Sequence, residues 1–218
     1  MKDIIVYGSG GHAKVIIDII EREKEYKILG LIDDNRENGE SVFGYKILGD
    51  KQKLLELKKN IVGGIVAVGD NFTRGQVVAN IKEIIPDFCF ISAIHPYATI
   101  ARGVTIGAGS AVMAGAVINS GTTIGEHCIV NSNASIDHDC EVFDYAAVLP
   151  SATLGGNVKL GAFSVIALGA NVIHGITIGG NTVVGAGSTV LDDLSPNVLA
   201  FGTPCQTLRP REFGEKYL

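Results

Sequence analysis

The sequence predicts a chain in two parts: a small parallel α/β domain, then a narrow parallel β-helix. Three observations carry this. From His95 to Val190 the chain divides into sixteen blocks of six, and the sixth place of every block, from Ile100 to Val190, is Ile, Val or Leu. The fourth place is mostly small, as at Ala98, Ser110, Ala116, Cys128, Ala134, Cys140, Ala146, Ala152, Ser164, Ala170 and Ser188. Ahead of the blocks, apolar strands alternate with helical patterns around a glycine-rich turn. A chain that is 46% hydrophobic would fill sixteen such places with apolar residues by chance only on the order of once in 10⁵. A period of six keeps no stripe on one side of an α-helix, but it is compatible with the strand period of two. Short strands that each point one large and one small residue inward fit stacked coils, whose edges are paired by the coils above and below.

The elements of the first domain follow in order. Asp3–Tyr7 reads as an apolar strand, residues 8–11 (GSGG) as a tight turn, and His12–Glu23 as a helix with Val15, Ile16, Ile19 and Ile20 on one face. Ile28–Ile32 is a second strand that ends at Asp33 and Asp34. Ile47 sits in a short extended piece, Lys51–Lys59 is a helix, Ile61–Val68 a strand, Asn71–Ile85 a helix and Phe88–Ile91 a last strand. Alternating strand and helix implies a parallel sheet with helices on its faces. The expected organisation is residues 1–94, 95–191 and a C-terminal tail of 192–218 packed on the β-helix.

Composition excludes several classes. The formal charge is −5 and there is no Lys/Arg-rich run, which argues against nucleic acid as a partner. No stretch approaches twenty uninterrupted apolar residues, and the N-terminus lacks the pattern of a signal peptide. Cys89, Cys128, Cys140 and Cys205 have no metal-ligand spacing, so no metal is expected and a reducing cytoplasm is the simplest setting. Residues 1–95 hold 13 basic and 14 acidic side chains, residues 96–218 only 5 and 9, with no Lys or Arg between Arg102 and Lys159.

Gly8, Gly10 and Ala13 after the first strand, with Asp33 twenty residues beyond Ala13, satisfy a dinucleotide fingerprint. A dinucleotide fold needs two mononucleotide halves, however, and the chain before the blocks has room for one. The turn still suits a single phosphate-bearing ligand, because N–H groups at a helix start attract anions. It equally suits a plain strand–helix connection. Asp33 and Asp34, at a strand end, are placed to accept from hydroxyl or base N–H groups.

The blocks resemble those of the hexapeptide-repeat acyltransferases, whose fold is a left-handed β-helix with three blocks per triangular coil. Sixteen blocks then make a little over five coils, roughly 25 Å tall at ~4.8 Å per coil. The motifs YGSGGHAKVIID, LIDD, AVGDN and IDHDC together resemble a narrower group. It comprises the sialic-acid O-acetyltransferases and the N-acetyltransferases of nucleotide-linked 4-amino sugars in glycan biosynthesis. That resemblance implies acetyl-CoA as co-substrate, a homotrimer with sites between neighbouring prisms, and a nucleotide sugar on the first domain. There it implicates Gly8, Ser9, Gly10, Gly11, His12, Asp33 and Asp34, with Gly69, Asp70 and Asn71 at a second strand end.

With three blocks per coil, residues eighteen apart stack, so one column holds Arg102, Ser120, His138, Gly156 and His174. By spacing alone His138 is better read as a solvated histidine on an outward position. The family's H-D/E-C triplet assigns it as general base, with Asp139 as its orienter. Gly156 leaves the backbone bare one coil on and is the candidate oxyanion donor. Asn131 matches a position of the family's active-site segment. Gly155, Ala167, Gly185 and Pro204 (in the tail segment FGTPC) are further candidates for the acetyl-CoA site, while Arg209 and Arg211 suit either its phosphates or a solvated tail. Many relatives carry a second His in the next block; here Ala147 stands there. His174 reads as a wall residue, and His127 and His95 as surface or junction residues.

The acidic, Lys- and Arg-free wall bearing Asp137, Asp139, Glu141 and Asp144 favours a sugar amine over a carboxylate-bearing sialic acid. An O-acetyltransferase and a non-catalytic nucleotide-sugar-binding trimer are the alternatives. A zinc carbonic anhydrase lacks its three clustered His, and a sugar-nucleotide pyrophosphorylase lacks its larger nucleotidyl domain.

Overall fold

The computed structural model describes residues 1–217. The N-terminal strands are β1 (Lys2–Tyr7), β2 (Tyr26–Ile32), β3 (Ser41–Val42), β4 (Tyr45–Gly49) and β5 (Gly63–Val66). The helices are α1 (Gly11–Glu23), α2 (Lys53–Leu57) and α3 (Asn71–Ile84). The sheet order is β3-β4-β2-β1-β5, parallel except for the β3–β4 hairpin. The last expected strand is reduced to one bridge, Gly64 to Phe90, where the chain turns into the β-helix. Val15 is 41% exposed, whereas Ile17 is buried with Ile16, Ile19 and Ile20. The reason is that α1 is covered on two sides. It packs on its own sheet and on the β-helix, in one core that joins Ile16 and Ile20 to Ile129, Ala147 and Val165.

The second part opens one block earlier than expected, at β6 (Ala93–Ile94), which pairs with Ala111–Val112 at the eighteen-residue offset. Each of the sixteen blocks then supplies one two-residue strand from its fifth and sixth places, β7 (Thr99–Ile100) to β22 (Thr189–Val190). All pair in parallel with residues eighteen away, which builds a left-handed triangular prism. Its first face carries β6, β9, β12, β15, β18 and β21; the second runs from β7 to β22, and the third from β8 to β20. The hairpin of β23 (Val198–Gly202) and β24 (Cys205–Pro210) extends the first face. Among the described residues, no helix is long and apolar enough to cross a membrane.

Sixth and fourth places fill the prism, from Val112 and Ala116 to Val184 and Val190. Ile100 stays 37% exposed because no coil lies beneath it on the second face. Buried hydroxyls at fourth places bridge the coils: Thr122 Oγ1 donates to Asp137 O (2.7 Å) and accepts from Cys140 N–H (3.0 Å). The third place turns the corner. From Gly103 to Gly187 every third place has a φ of 54–80°, a region that Gly, Asn and Asp tolerate and bulky residues avoid. Three bulky rings nevertheless occupy it, eighteen apart: His127, Tyr145 and Phe163.

Those rings dock the first domain. His127 stacks on Tyr145 (centroids 5.2 Å), Tyr145 on Phe163 (4.7 Å), and Phe90 meets His127 edge-on. His127 and His95 are both buried, so neither is a surface residue; His127 lies at the junction. Across the seam runs Arg74, also buried. It donates to Val68 O, Gly69 O and the Asn71 side chain on its own side, and to His127 O and Tyr145 O on the β-helix, at 2.7–3.0 Å. Its fork is thus matched by carbonyls alone, and burial lowers its pKa to about 10.

Candidate active site

The corner between the second and third faces presents His138 at a second place and Asp139 at a third. Asp139 has φ 55°, and this turn brings its carboxylate back beside the preceding imidazole, with Nδ1 2.8 Å from Oδ2. The His138 N–H donates to Asp137 Oδ1 (2.8 Å), which also accepts from Asn119 Nδ2 (3.0 Å). The hydrogen bond to Asp139, and then the charge of Asp137, raise the His138 pKa above its ordinary 6.5. The side chain is 54% exposed, and its Nε2 makes no hydrogen bond among the described residues.

Gly156 lies one coil on, and the imidazole rests across its bare Cα. A Cβ there would stand 2.7 Å from both Cε1 and Nε2 of His138. A Cβ on Gly155 would stand 2.7 Å from the His174 backbone nitrogen. Both glycines are therefore required by close approach. The Gly156 N–H has no acceptor among the described residues. His174 is exposed a further coil on.

The remaining candidates separate. Asn131, Ala167 and Gly185 stack with Met113 and Leu149 in the column of first places after the first-face strands, a different edge of the prism from His138. Gly185 lies under the Phe201 ring, whose Cδ2 is 2.3 Å from where a Cβ would be, and Pro204 is exposed at the hairpin tip. Arg209 pairs with Glu215, and Arg211 is buried rather than solvated.

At the N-terminal turn Gly8 has φ 108° and no room for a Cβ, which would sit 2.9 Å from Ala67 O. Gly10 caps α1 without a side-chain acceptor, and no acid stands in the first turn. Gly10 and Gly11 face open space. The helix start therefore keeps unfilled N–H donors, the arrangement that binds a phosphate. Ser9 Oγ donates to Asp33 Oδ2, and Asp34 accepts from Tyr7 OH (2.6 Å) and Lys51 N–H (2.9 Å). Asp70 caps α3 by accepting from Thr73 N–H (2.8 Å). Asn71 corrects the expectation of a ligand contact: it is buried, and its amide reaches Phe163 O, Ser164 O and Arg74 in the seam.

A crevice of about 290 Å³ opens beside this turn, lined by Gly11, His12 and Gly69 from the first domain and by Met113, Ile129, Asn131 and Leu149 from the first face. Tyr217 lines it from the C-terminal tail. Burial, and then the charge of Arg74, lower the His12 pKa to about 4, so this ring is neutral near pH 7. Tyr217 carried no signal in the sequence, because its place depends on the tail returning across both domains. The aromatic column was legible in principle, as three rings eighteen apart at places that, from Gly103 to Gly187, are otherwise held by Gly, Asn, Asp or Ser.

Triangular coils with a His–Asp pair over a bare glycine, joined to half of a nucleotide-binding fold, define an acyltransferase of the hexapeptide-repeat class. Residues 3–81 match the PglD N-terminal domain family. The chain is 35% identical to UDP-N-acetylbacillosamine N-acetyltransferase of Bacillus subtilis over 116 residues, a match spanning about half (52%) of each protein. PerB from Caulobacter crescentus, solved in complex with CoA and GDP-perosamine, superposes with a TM-score of 0.89 at 35% identity, over 95% of this chain and 97% of that one. The acetyltransferase domain of PglB from Neisseria gonorrhoeae gives 0.87 at 30% identity, over 95% and 100%. The chain belongs to this family of left-handed β-helix sugar N-acetyltransferases with a PglD-type N-terminal domain.

Proposed function

We propose that the protein transfers the acetyl group of acetyl-CoA to the amino group of a nucleotide-linked amino sugar, as a step in glycan biosynthesis. The observation that carries this reading is the His138–Asp139 pair lying over Gly156. Acetyl-CoA, when bound, supplies the acyl group as an activated thioester. As the amine nitrogen bonds to the acyl carbon, His138 takes the amine proton on Nε2; the C–S bond then breaks, the coenzyme A sulfur leaves as the thiol with that proton, and Asp139 holds the Nδ1–H tautomer and stabilises the imidazolium in between. The unpaired Gly156 N–H is the donor for developing negative charge on the acyl oxygen. Gly155, beside the His138 site, is a proposed contact of the acetyl-CoA, and Ala167, Gly185 and Pro204, away from the His138 corner, are contacts contributed by the neighbouring chain.

The acceptor binds through the α1 turn. The residues in play are Gly8, Ser9, Gly10, Gly11 and His12, with Asp33 on the nucleoside side and Gly69 opposite; Asp34 and Asp70 act as framework. Within one chain the first domain packs on the first face, whereas His138 stands at the corner opposite that face. A sugar held by one chain therefore meets His138 of another, which supports a homotrimer with residues of two chains in each site. The acidic surroundings of His138 favour an arriving amine. Free thiols at all four cysteines suit a cytoplasmic enzyme.

The test is thiol release from acetyl-CoA against a panel of UDP- and GDP-linked amino sugars, with sialic acid alongside. Turnover of an amino sugar that His138→Ala abolishes supports the reading. Turnover of sialic acid alone removes it.

A further inference from the structure

The tail beyond β24 does more than cover the prism. Phe213 packs edge-on to Phe72 of α3 (5.2 Å) and to Phe163 of the β-helix (5.0 Å). Four residues on, Tyr217 OH donates to Gly69 O (3.0 Å), at the end of the chain segment that follows β5. The ring is thereby pinned in the wall of the crevice that Gly11, His12, Met113, Ile129 and Leu149 also line.

Strand order fixes which part of a nucleotide sugar reaches that crevice. The phosphate-cradling turn follows β1, with β2 on one side and β5 on the other. Asp33, the acceptor placed for a nucleoside, ends β2, while Gly69 follows β5. A diphosphate over the turn with its nucleoside toward Asp33 directs the sugar the other way, toward Gly69 and the crevice. There the wall turns apolar, with one amide at Asn131. A hexose has a weakly polar C–H face and a rim of hydroxyls, which suits an aromatic ring beside an apolar wall and a few polar groups. We infer that Tyr217 is a specificity-determining residue that holds the sugar ring, not the nucleotide, of the substrate. This rests on the nucleotide-sugar reading above.

Calorimetric titration of the full chain with UDP, GDP, UDP-N-acetylglucosamine and GDP-mannose tests it. Tyr217→Ala is expected to weaken binding of whichever nucleotide sugar binds by about tenfold, the scale of one lost aromatic contact. Its affinity for the matching sugar-free diphosphate should stay within about twofold. Tyr217→Phe, which keeps the ring and loses only the bond to Gly69, should bind the nucleotide sugar within about threefold of wild type. Equal losses for diphosphate and sugar conjugate overturn the inference, as does an unchanged affinity for the conjugate or a Phe variant as weak as the Ala variant. Wild-type protein that binds none of the four ligands overturns the nucleotide-sugar reading itself, a result distinct from these.

Discussion

Replacing Gly156 by Ala adds one methyl group, and the structure states what it meets. Cε1 and Nε2 of His138 both lie 2.7 Å from the new Cβ. Carbon atoms prefer to stand about 3.5–4.0 Å apart, so the ring must move by roughly 1 Å. Gly156 does not have a positive φ, so alanine is admissible in the backbone. The imidazole is free to swing outward, since over half of its side chain is exposed. The strain is therefore relieved by the catalytic ring and not by the fold. The expected loss of stability is below about 1 kcal/mol, while a base displaced by that distance loses about 10²-fold in kcat. The Gly156 N–H survives the substitution, so the defect reports ring position alone. Thiol-release kinetics and thermal denaturation measure the two effects separately. A variant that keeps kcat within threefold of wild type, while His138→Ala is inactive, refutes the assigned geometry.

Asp139→Asn keeps a residue that tolerates the left-handed turn and removes the charge; the pH profile of kcat/KM should move to lower pH, because Asp139 is the main cause of the raised His138 pKa. Arg74→Met leaves carbonyls of both domains without a donor, and is expected to destabilise the chain by about 4 kcal/mol in chemical denaturation. The His127 pKa is lowered to about 4 by burial, so the unfolded chain binds the extra proton between about pH 6.5 and 4. Stability should be full above that window and fall through it with decreasing pH, by up to about 3 kcal/mol from this residue. His127→Asn, suited to the same turn as Asn133 and Asn157, should flatten that slope in acid titrations. Mixing subunits of His138→Ala with subunits of Gly8→Val should restore activity, if one chain's turn serves another chain's histidine.

The prism was legible because its physics is one-dimensional. Sixth places such as Val112 and Val148, and fourth places such as Ala116, point inward whatever the rest of the chain does. The same repeat placed His138 and Asp139 side by side on a corner, but their proposed role rests on resemblance to the family's triplet and not on the spacing. Val15 was misassigned and Ile17 left out because a helical stripe shows which residues are apolar but not how many surfaces cover the helix. Asn71 misled because a polar residue at a strand end looks like a ligand contact until the other domain is seen to satisfy it. His127 and Arg74 act across a seam between residues some fifty positions apart, which local pattern does not encode.

The most direct measurement is the chemical nature of the product bond. After turnover of a nucleotide-linked amino sugar, nuclear magnetic resonance of the isolated product should show the acetyl group in amide linkage at the former amine. No such product should form with His138→Ala. An acetyl ester on a sugar hydroxyl, or an amide formed equally well without His138, contradicts the account.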